Sequence, residues 1–333
     1  MLPRALVLAT ALAALLAAAP AHALCSGATL LDRLTPAQTA ALATATAATP
    51  FAEGRLWQAR RGDTTLTLIG TLHLADPRHQ PLIETVSPLI AAADLVLLEM
   101  TPQEEAAMQA ALATDPSLMF RTDGPTLPER LDEATWAAVA EAARARNIPP
   151  FIASRFQPWF LMLTFSVPPC AMPDMMSGGP GLDQLLMREA EAAGVPMAAL
   201  EPWDTIFELF AQSDIDSQIA LLHLTLLDPD LQSEMLVAMR DSYFAGRIAE
   251  TWELSRLSLN FLPDLSAAEG AALFALTEEA LLTTRNAAWI RVIDTAAAAH
   301  DSIVLAAGAA HLPGQQGLLT LLQSDGWSIT RLD

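Results

Sequence analysis

Four short apolar runs punctuate the chain: "TLTLIG" (65–70), "DLVLLEM" (94–100), "VPMAAL" (195–200) and "SIVLAAG" (302–308). They carry aliphatic and β-branched side chains with little polar alternation, and turn or helix signals bound each one. That pattern predicts buried strands of a parallel or mixed sheet. Between them lie Ala- and Leu-rich stretches such as "LDEATWAAVAEAARARNI" (131–148), "GLDQLLMREAEAAG" (181–194) and "TRNAAWIRVIDTAAAAH" (284–300), with apolar residues three and four apart. These predict amphipathic helices. "TPAQTAALATATAATP" (35–50) reads as a helix followed by a loop. The order of elements gives an α/β fold, a parallel or mixed central sheet with a large helical insertion at about 102–283. No short-period repeat interrupts it.

The first residues add an address. One basic residue at Arg4, an apolar stretch from Ala5 to Ala19 and the small-x-small sequence Ala21-His22-Ala23 form a signal peptide spanning 1–23. An uncleaved anchor is the alternative, and Leu24 before Cys25 is a poor lipid-attachment sequence. No later segment has the ~18 uninterrupted apolar residues a membrane span needs. The expectation is a single α/β domain over 24–333, periplasmic or secreted, with no stable membrane insertion after cleavage. In an oxidising compartment Cys25 and Cys170 are expected to form a disulfide, with two buried free thiols as the alternative. No CxxC spacing supports a thiolate metal site.

Composition then removes whole classes of function. The 333 residues are 52% apolar with a mean hydropathy of +0.32, ample for a substantial core. A formal charge of −20 and a pI near 4.5 repel nucleic acid. There is no lysine, so Walker phosphate loops and Schiff-base chemistry are excluded.

The chemistry gathers where the strands end. Open α/β sheets bind ligands beyond the carboxyl ends of their strands, and there the four runs deliver His73, Glu99, Glu201 and His311. Two of these belong to a repeated Gly-x-x-His, at Gly70 and at Gly308. Glycine can take positive φ and let the chain turn close beneath a ligand. Two imidazoles and a carboxylate leave coordination positions open on a divalent ion, which would acidify water at neutral pH. Glu201 would complete the coordination or act as general base; otherwise it is a carboxylate favoured by a helix N-terminus. Asp183 stands in the same position, a first-turn acid or a site residue. Arg285 and Asn286 open the helix leading to the last strand. There an arginine would clamp a substrate or stabilise an oxyanion, or else anchor its helix by an ion pair. Arg155 is a weaker version of the same case. Asp76 is expected to orient His73, His79 to be solvated, His223 and His300 to play surface or core roles, and Met-rich "CAMPDMMSGG" (170–179) to form a flexible lid loop.

The segments "LIGTLHLADPR", "ADLVLLEM", "FQPWF", "GLDQLL", "LEPWD", "TTRNAAWI" and "AAGAAHLPGQQGLLTLLQSDGWSITRL" together resemble the TraB/GumN family, which includes the Tiki-type metalloproteases. The resemblance runs in order from about Trp57 to Leu332, with Leu72 and Met100 among its small departures. It implies a metal-dependent hydrolase with His73, His311 and Glu99 as active-site groups, and it matches the pair Arg285–Asn286. Three function classes follow. The first is an exported hydrolase, peptidase-like, using Mn, Co or Zn on a peptide or small-molecule substrate. The second is metal-free His/Glu chemistry on an ester, and the third a non-catalytic protein that binds haem or a metal complex. Oligomeric state is not legible.

Overall fold

The computed structural model describes residues 25–211, 213–262 and 265–333. The expected signal peptide and its cleavage after Ala23 lie outside the described residues. The centre is a six-stranded mixed sheet: β1 (Leu56–Arg61), β2 (Thr64–Thr71), β3 (Leu95–Leu98), β4 (Met197–Ala199), β5 (Ser302–Gly308) and β6 (Ser328–Arg331), in the spatial order β4-β3-β5-β2-β1-β6. The four predicted runs are β2, β3, β4 and β5, and they pair in parallel. Strands β1 and β6 lie outside the four apolar runs. "LWQARR" is half polar, and "SITR" is a short, largely exposed edge, so neither gives the apolar run of a strand covered on both faces. A two-residue turn with Gly62 at φ +60° joins β1 to β2, a backbone conformation that favours glycine there.

Side chains alternate across the sheet with period two. Leu66, Leu68, Ile303, Leu305, Leu95 and Leu97 face one side, where they pack with Trp289 and Ile293 of the helix Thr284–Ala297 and Leu318, Leu319 and Leu322 of the helix Leu318–Ser324. Ile69, Val96, Leu98, Val304 and Ala306 face the other, under Leu82 and Val86 of the helix Gln80–Ala91 and Leu182 and Leu186 of the helix Leu182–Ala193. Each fully buried Leu or Ile contributes roughly 1.5–3 kcal/mol, so both layers are firmly tied to the sheet. The 131–148 prediction corresponds to a helix over Glu133–Arg144.

The insertion carries helices with a core of their own, around Leu127, Val139, Phe156, Leu161, Phe165 and Leu222. A further cluster joins Leu30 and Leu42 to Leu231 and Leu254. Cys25 and Cys170 are disulfide-bonded across 145 residues, tying the start of the described chain to the insertion. A loop that long makes the bond worth roughly 2–5 kcal/mol. The segment 170–179 differs from expectation. It holds a 3-10 turn at Pro169–Ala171 and a helix at Met172–Met176 rather than an open loop, with Pro residues at both helical starts, although Met175 and Met176 remain exposed.

Candidate active-site crevice

Because β4, β3, β5 and β2 are parallel neighbours, their carboxyl ends share one edge, and the residues just beyond them stand in a row: Glu201, Glu99, His311, His73. Register sharpens this. Thr71 lies opposite Gly308 and Leu98 opposite Ala306, so the chain leaves β2, β3 and β5 at nearly the same height. A Cβ placed on Gly308 would lie 3.3 Å from Glu99 Oε1, 3.7 Å from His311 Cδ2 and 3.8 Å from His73 Nε2. Three side chains remote in sequence therefore converge on one point. The glycine is there for that reason and not for its backbone freedom, since its φ is −48° and Gly70 also lies outside the positive-φ set.

The two imidazoles are held differently. His311 is 4% exposed, and its Nδ1 contacts Asn286 Oδ1 at 2.6 Å. Asn286 Nδ2 donates to the carbonyls of Gln316 (2.8 Å) and His311 (3.4 Å), which fixes the amide so that its oxygen faces the ring. His311 therefore donates through Nδ1 and keeps its lone pair on Nε2. Burial pushes its pKa down to about 4. His73 is open to solvent, with 65% of its side chain exposed, and its Nδ1 meets Asp183 Oδ1 at 2.9 Å. The hydrogen bond to that carboxylate, with the charges of Asp183 and Glu99 adding to it, lifts His73 to about 9.

Asp183 reaches His73 because the start of its helix is pressed against the β2 exit. Leu182 N donates to Leu72 O at 3.0 Å, and a Cβ on Gly181 would collide with the backbone of His73 at 2.6 Å. Asp76 does not orient His73. It caps the turn Pro77–His79 by accepting from Arg78 N and pairs with the Arg78 guanidinium at 2.8 Å. His79 is not solvated either. It is 1% exposed, with Nε2 on Leu74 O at 2.8 Å and its ring against Phe244.

Arg285 organises the acids. Its Nη2 donates to Glu99 Oε2 (2.7 Å) and Glu201 Oε1 (2.6 Å), its Nε to Glu201 (3.0 Å), and its Nη1 to Leu281 O (3.1 Å) while lying 3.3 Å from His311 Nε2. Glu201 also accepts from Trp289 Nε1 at 2.9 Å. Every face of the guanidinium is committed within the protein, as expected of an anchoring cation rather than a free clamp. Glu99 completes its bonding with the Gly308 N–H at 2.6 Å. Burial alone would raise its pKa, but the charge of His311, which is protonated in the acid range where Glu99 titrates, then those of Arg285 and His73, and the Gly308 amide hold it down to about 2. The crevice encloses about 350 Å³, and a second pocket of about 260 Å³ adjoins it across His73 and Asp183.

Among the described residues no group of three or more His, Cys, Asp or Glu is set closely enough to hold a metal ion. The donor chemistry nevertheless suits one. Both imidazoles are fastened through Nδ1 to an oxygen, the usual arrangement behind a metal-ligating Nε2. Glu99 and Glu201 share one guanidinium and Asp183 pairs with His73, so carboxylates outnumber the permanent cation in the crevice lining, and among the described residues the buried Thr71 hydroxyl beside it has no partner. For His311 to share an ion with Glu99, Arg285 Nη1 must withdraw from Nε2.

These features define an α/β protein with a His- and Glu-lined crevice at the ends of its parallel strands. The chain belongs to the TraB/PrgY/gumN family, whose model matches residues 55–331. No curated protein matches it.

Sequence reasoning passed over one participant. Tyr243, the only tyrosine of the chain, donates its hydroxyl to Gly70 O at 2.9 Å from within the insertion, and burial pushes its pKa up. Nothing in the periodicity of its helix (Pro229–Phe244) points to the strand end. A lone tyrosine in an otherwise Tyr-free chain was the one signal available.

Proposed function

We propose that this crevice is the active site of an exported, metal-dependent hydrolase acting on peptide-like bonds, with His73, His311 and Glu99 holding a divalent ion such as Mn, Co or Zn. The observation that carries the reading is the pair of Nδ1 anchors, Asp183 on His73 and Asn286 on His311, which leave both Nε2 atoms near an ionised Glu99. When bound, such an ion polarises a substrate carbonyl and makes water more acidic.

The chain's own residues supply the rest. Asp183 and Asn286 fix ring orientation, and His311 stays neutral at pH 7 because it is buried. Glu99 remains charged because Arg285 is paired with it. Glu201, held by Arg285 and Trp289, positions that arginine, and proton acceptance from water falls to it once Arg285 shifts. The missing Cβ of Gly308 leaves room for a reacting group between the two histidines. Export is supported by the Cys25–Cys170 disulfide and by the N-terminal sequence pattern. No described helix is long and apolar enough to cross a membrane.

Metal analysis of mildly purified protein, paired with hydrolysis of peptide and ester libraries, tests the reading. Expected are bound metal, loss of both metal and activity in His73→Ala and His311→Ala, and restoration of chelated wild type by Mn²⁺, Co²⁺ or Zn²⁺. Full activity in excess chelator with no metal present would instead favour direct His/Glu catalysis, a reading supported by Arg285 already lying against His311 Nε2. A Soret band without turnover would favour haem binding.

A further inference from the structure

A second positive centre lies in the insertion, away from the crevice residues. In a chain with 38 acidic and 18 basic residues, most described arginines pair with carboxylates, yet Arg121, Arg130 and Arg155 form no ion pair with any described carboxylate. They are held together by backbone. Arg121 N donates to Arg155 O at 2.6 Å, Phe120 and Phe156 form a β-bridge and stack at 4.5 Å, and Leu127 N, opening the turn that ends at Arg130, donates to Ser154 O at 3.0 Å.

Two of the guanidiniums frame one glycine. Arg155 Nη1 donates to Gly124 O at 3.4 Å, and Arg121 Nη2 lies 3.3 Å from where a Gly124 Cβ would be. The Arg121 Nε–H is shielded from solvent and has no acceptor among the described residues. Desolvation and then the charges of Arg130 and Arg155 pull the Arg121 pKa down, with only Asp123 opposing. Glu129 turns one oxygen, Oε2, to Thr126 N and Oγ1, and it feels the charge of Arg155 without forming an ion pair with it. Unpartnered like charges held close are costly unless an anion joins them. Phe151, 73% exposed, stands on the short helix just before Arg155 and offers apolar contact at the edge.

We propose that Arg121, Arg130 and Arg155 form a recognition site for the carboxylates of an acidic peptide segment. Its relation to the crevice is fixed by a run of rings, Phe120–Phe156–Phe160–Trp159–Phe207–Trp203, in steps of 4.5–5.8 Å, and Trp203 borders the crevice. An extended peptide covers that span in roughly eight residues or fewer. The site itself does not depend on the chemistry proposed for the crevice.

The test is binding of fluorescein-labelled hexaglutamate to the full mature protein at low ionic strength, read by anisotropy, with hexaglutamine as the neutral control. Overall charge opposes hexaglutamate, so its binding requires a dedicated site. Arg121→Gln with Arg155→Gln is expected to weaken binding about tenfold or more. Arg291→Gln, which removes an arginine with no ion pair elsewhere, is expected to leave it unchanged. Absence of hexaglutamate binding by wild type, equal binding by the double variant, or equal loss in Arg291→Gln would each overturn the proposal. Unchanged melting of the variants shows that the fold is intact.

Discussion

The two Gly-x-x-His strand ends use one sequence device to opposite electrostatic effect. After β2, His73 stands in solvent against a charged acid, Asp183, and is raised to about 9. After β5, His311 is buried against a neutral amide, Asn286, and is lowered to about 4. Their glycines differ too. A Cβ on Gly70 would press on Ala309 and Leu312 of the other motif at 3.0 Å, whereas one on Gly308 would point among Glu99, His73 and His311. The repeat fixes where each imidazole emerges. What packs over it fixes the proton. Without a metal, a proton-bearing, accessible ring stands beside a dry, neutral one at neutral pH, and an ion held by both Nε2 atoms would have to displace the His73 proton.

The strongest way to break this comparison is to remove each ring in turn. His73→Ala and His311→Ala are both expected to lower hydrolysis by about 10²–10⁴-fold if the proposed chemistry holds. Their stabilities should part. His311→Ala strands Asn286 Oδ1 and opens space beside Trp289, whose ring lies 4.3 Å from the imidazole, at a cost of about 2–4 kcal/mol. His73→Ala should melt within a degree or two of wild type, because the ring is mostly in water. Equal melting temperatures for the two variants would mean that His311 is not packed as described.

Acid should act on one end and base on the other. His311 and Glu99 have folded pKa values below their ordinary 6.5 and 4.5, so their contributions are complete above those values and are lost as pH falls toward about 4 and about 2. For His311 the loss is on the order of 3 kcal/mol. His73 has the opposite sign: its contribution is complete below 6.5 and fades as pH rises through about 9, weakly because water screens the pair. Thermal melts from pH 4 to 9 should fall more steeply on the acid side. His311→Gln should flatten that limb between pH 6.5 and 4, leaving a residue from His79, which burial also lowers.

The glycines provide a smaller contrast. Gly70→Ala must push Ala309 and Leu312 apart and is expected to cost about 1–3 kcal/mol. Gly308→Ala meets only side-chain ends at 3.3–3.8 Å in a φ that alanine accepts, so stability should hardly change. Because the new methyl sits among the three reactive groups, hydrolysis should nevertheless fall by about 10–100-fold. A stable, fully active Gly308→Ala protein would show that nothing needs that space.

Much of this is legible in the amino-acid sequence. Strands β2, β3 and β5 announced themselves because a strand covered on both faces needs an uninterrupted apolar run, the half-buried edge strand β4 did so by its apolar composition, and parallel pairing carried their terminal residues to one edge. The family match agrees with the resemblance read from the motifs. Hidden were β1, which lies between β2 and β6, and the edge strand β6, whose polar residues interrupt the apolar run. Hidden also was the identity of the acid behind His73. Asp76, three residues away, is consumed by Arg78, while Asp183, 110 residues away, is delivered by helix packing at Gly181. Local spacing predicts what emerges from a strand, and tertiary packing decides what meets it.

Asp183→Asn isolates that packing decision with the least disturbance. Asparagine keeps the shape and its Oδ1 still accepts from His73 Nδ1, but the charge is gone. In protein stripped of metal, the His73 midpoint followed by NMR should fall from about 9 by at least about one unit, since an amide favours the imidazolium less than a carboxylate does. The His311 midpoint should stay where it is, because the charges that act on it are those of Glu99, Arg285 and His73 rather than Asp183. Stability should change by no more than about 0.5 kcal/mol, the ordinary worth of a solvent-screened pair. A His73 midpoint that does not move would transfer the control of that proton to Glu99, and the two strand ends would then differ only in exposure.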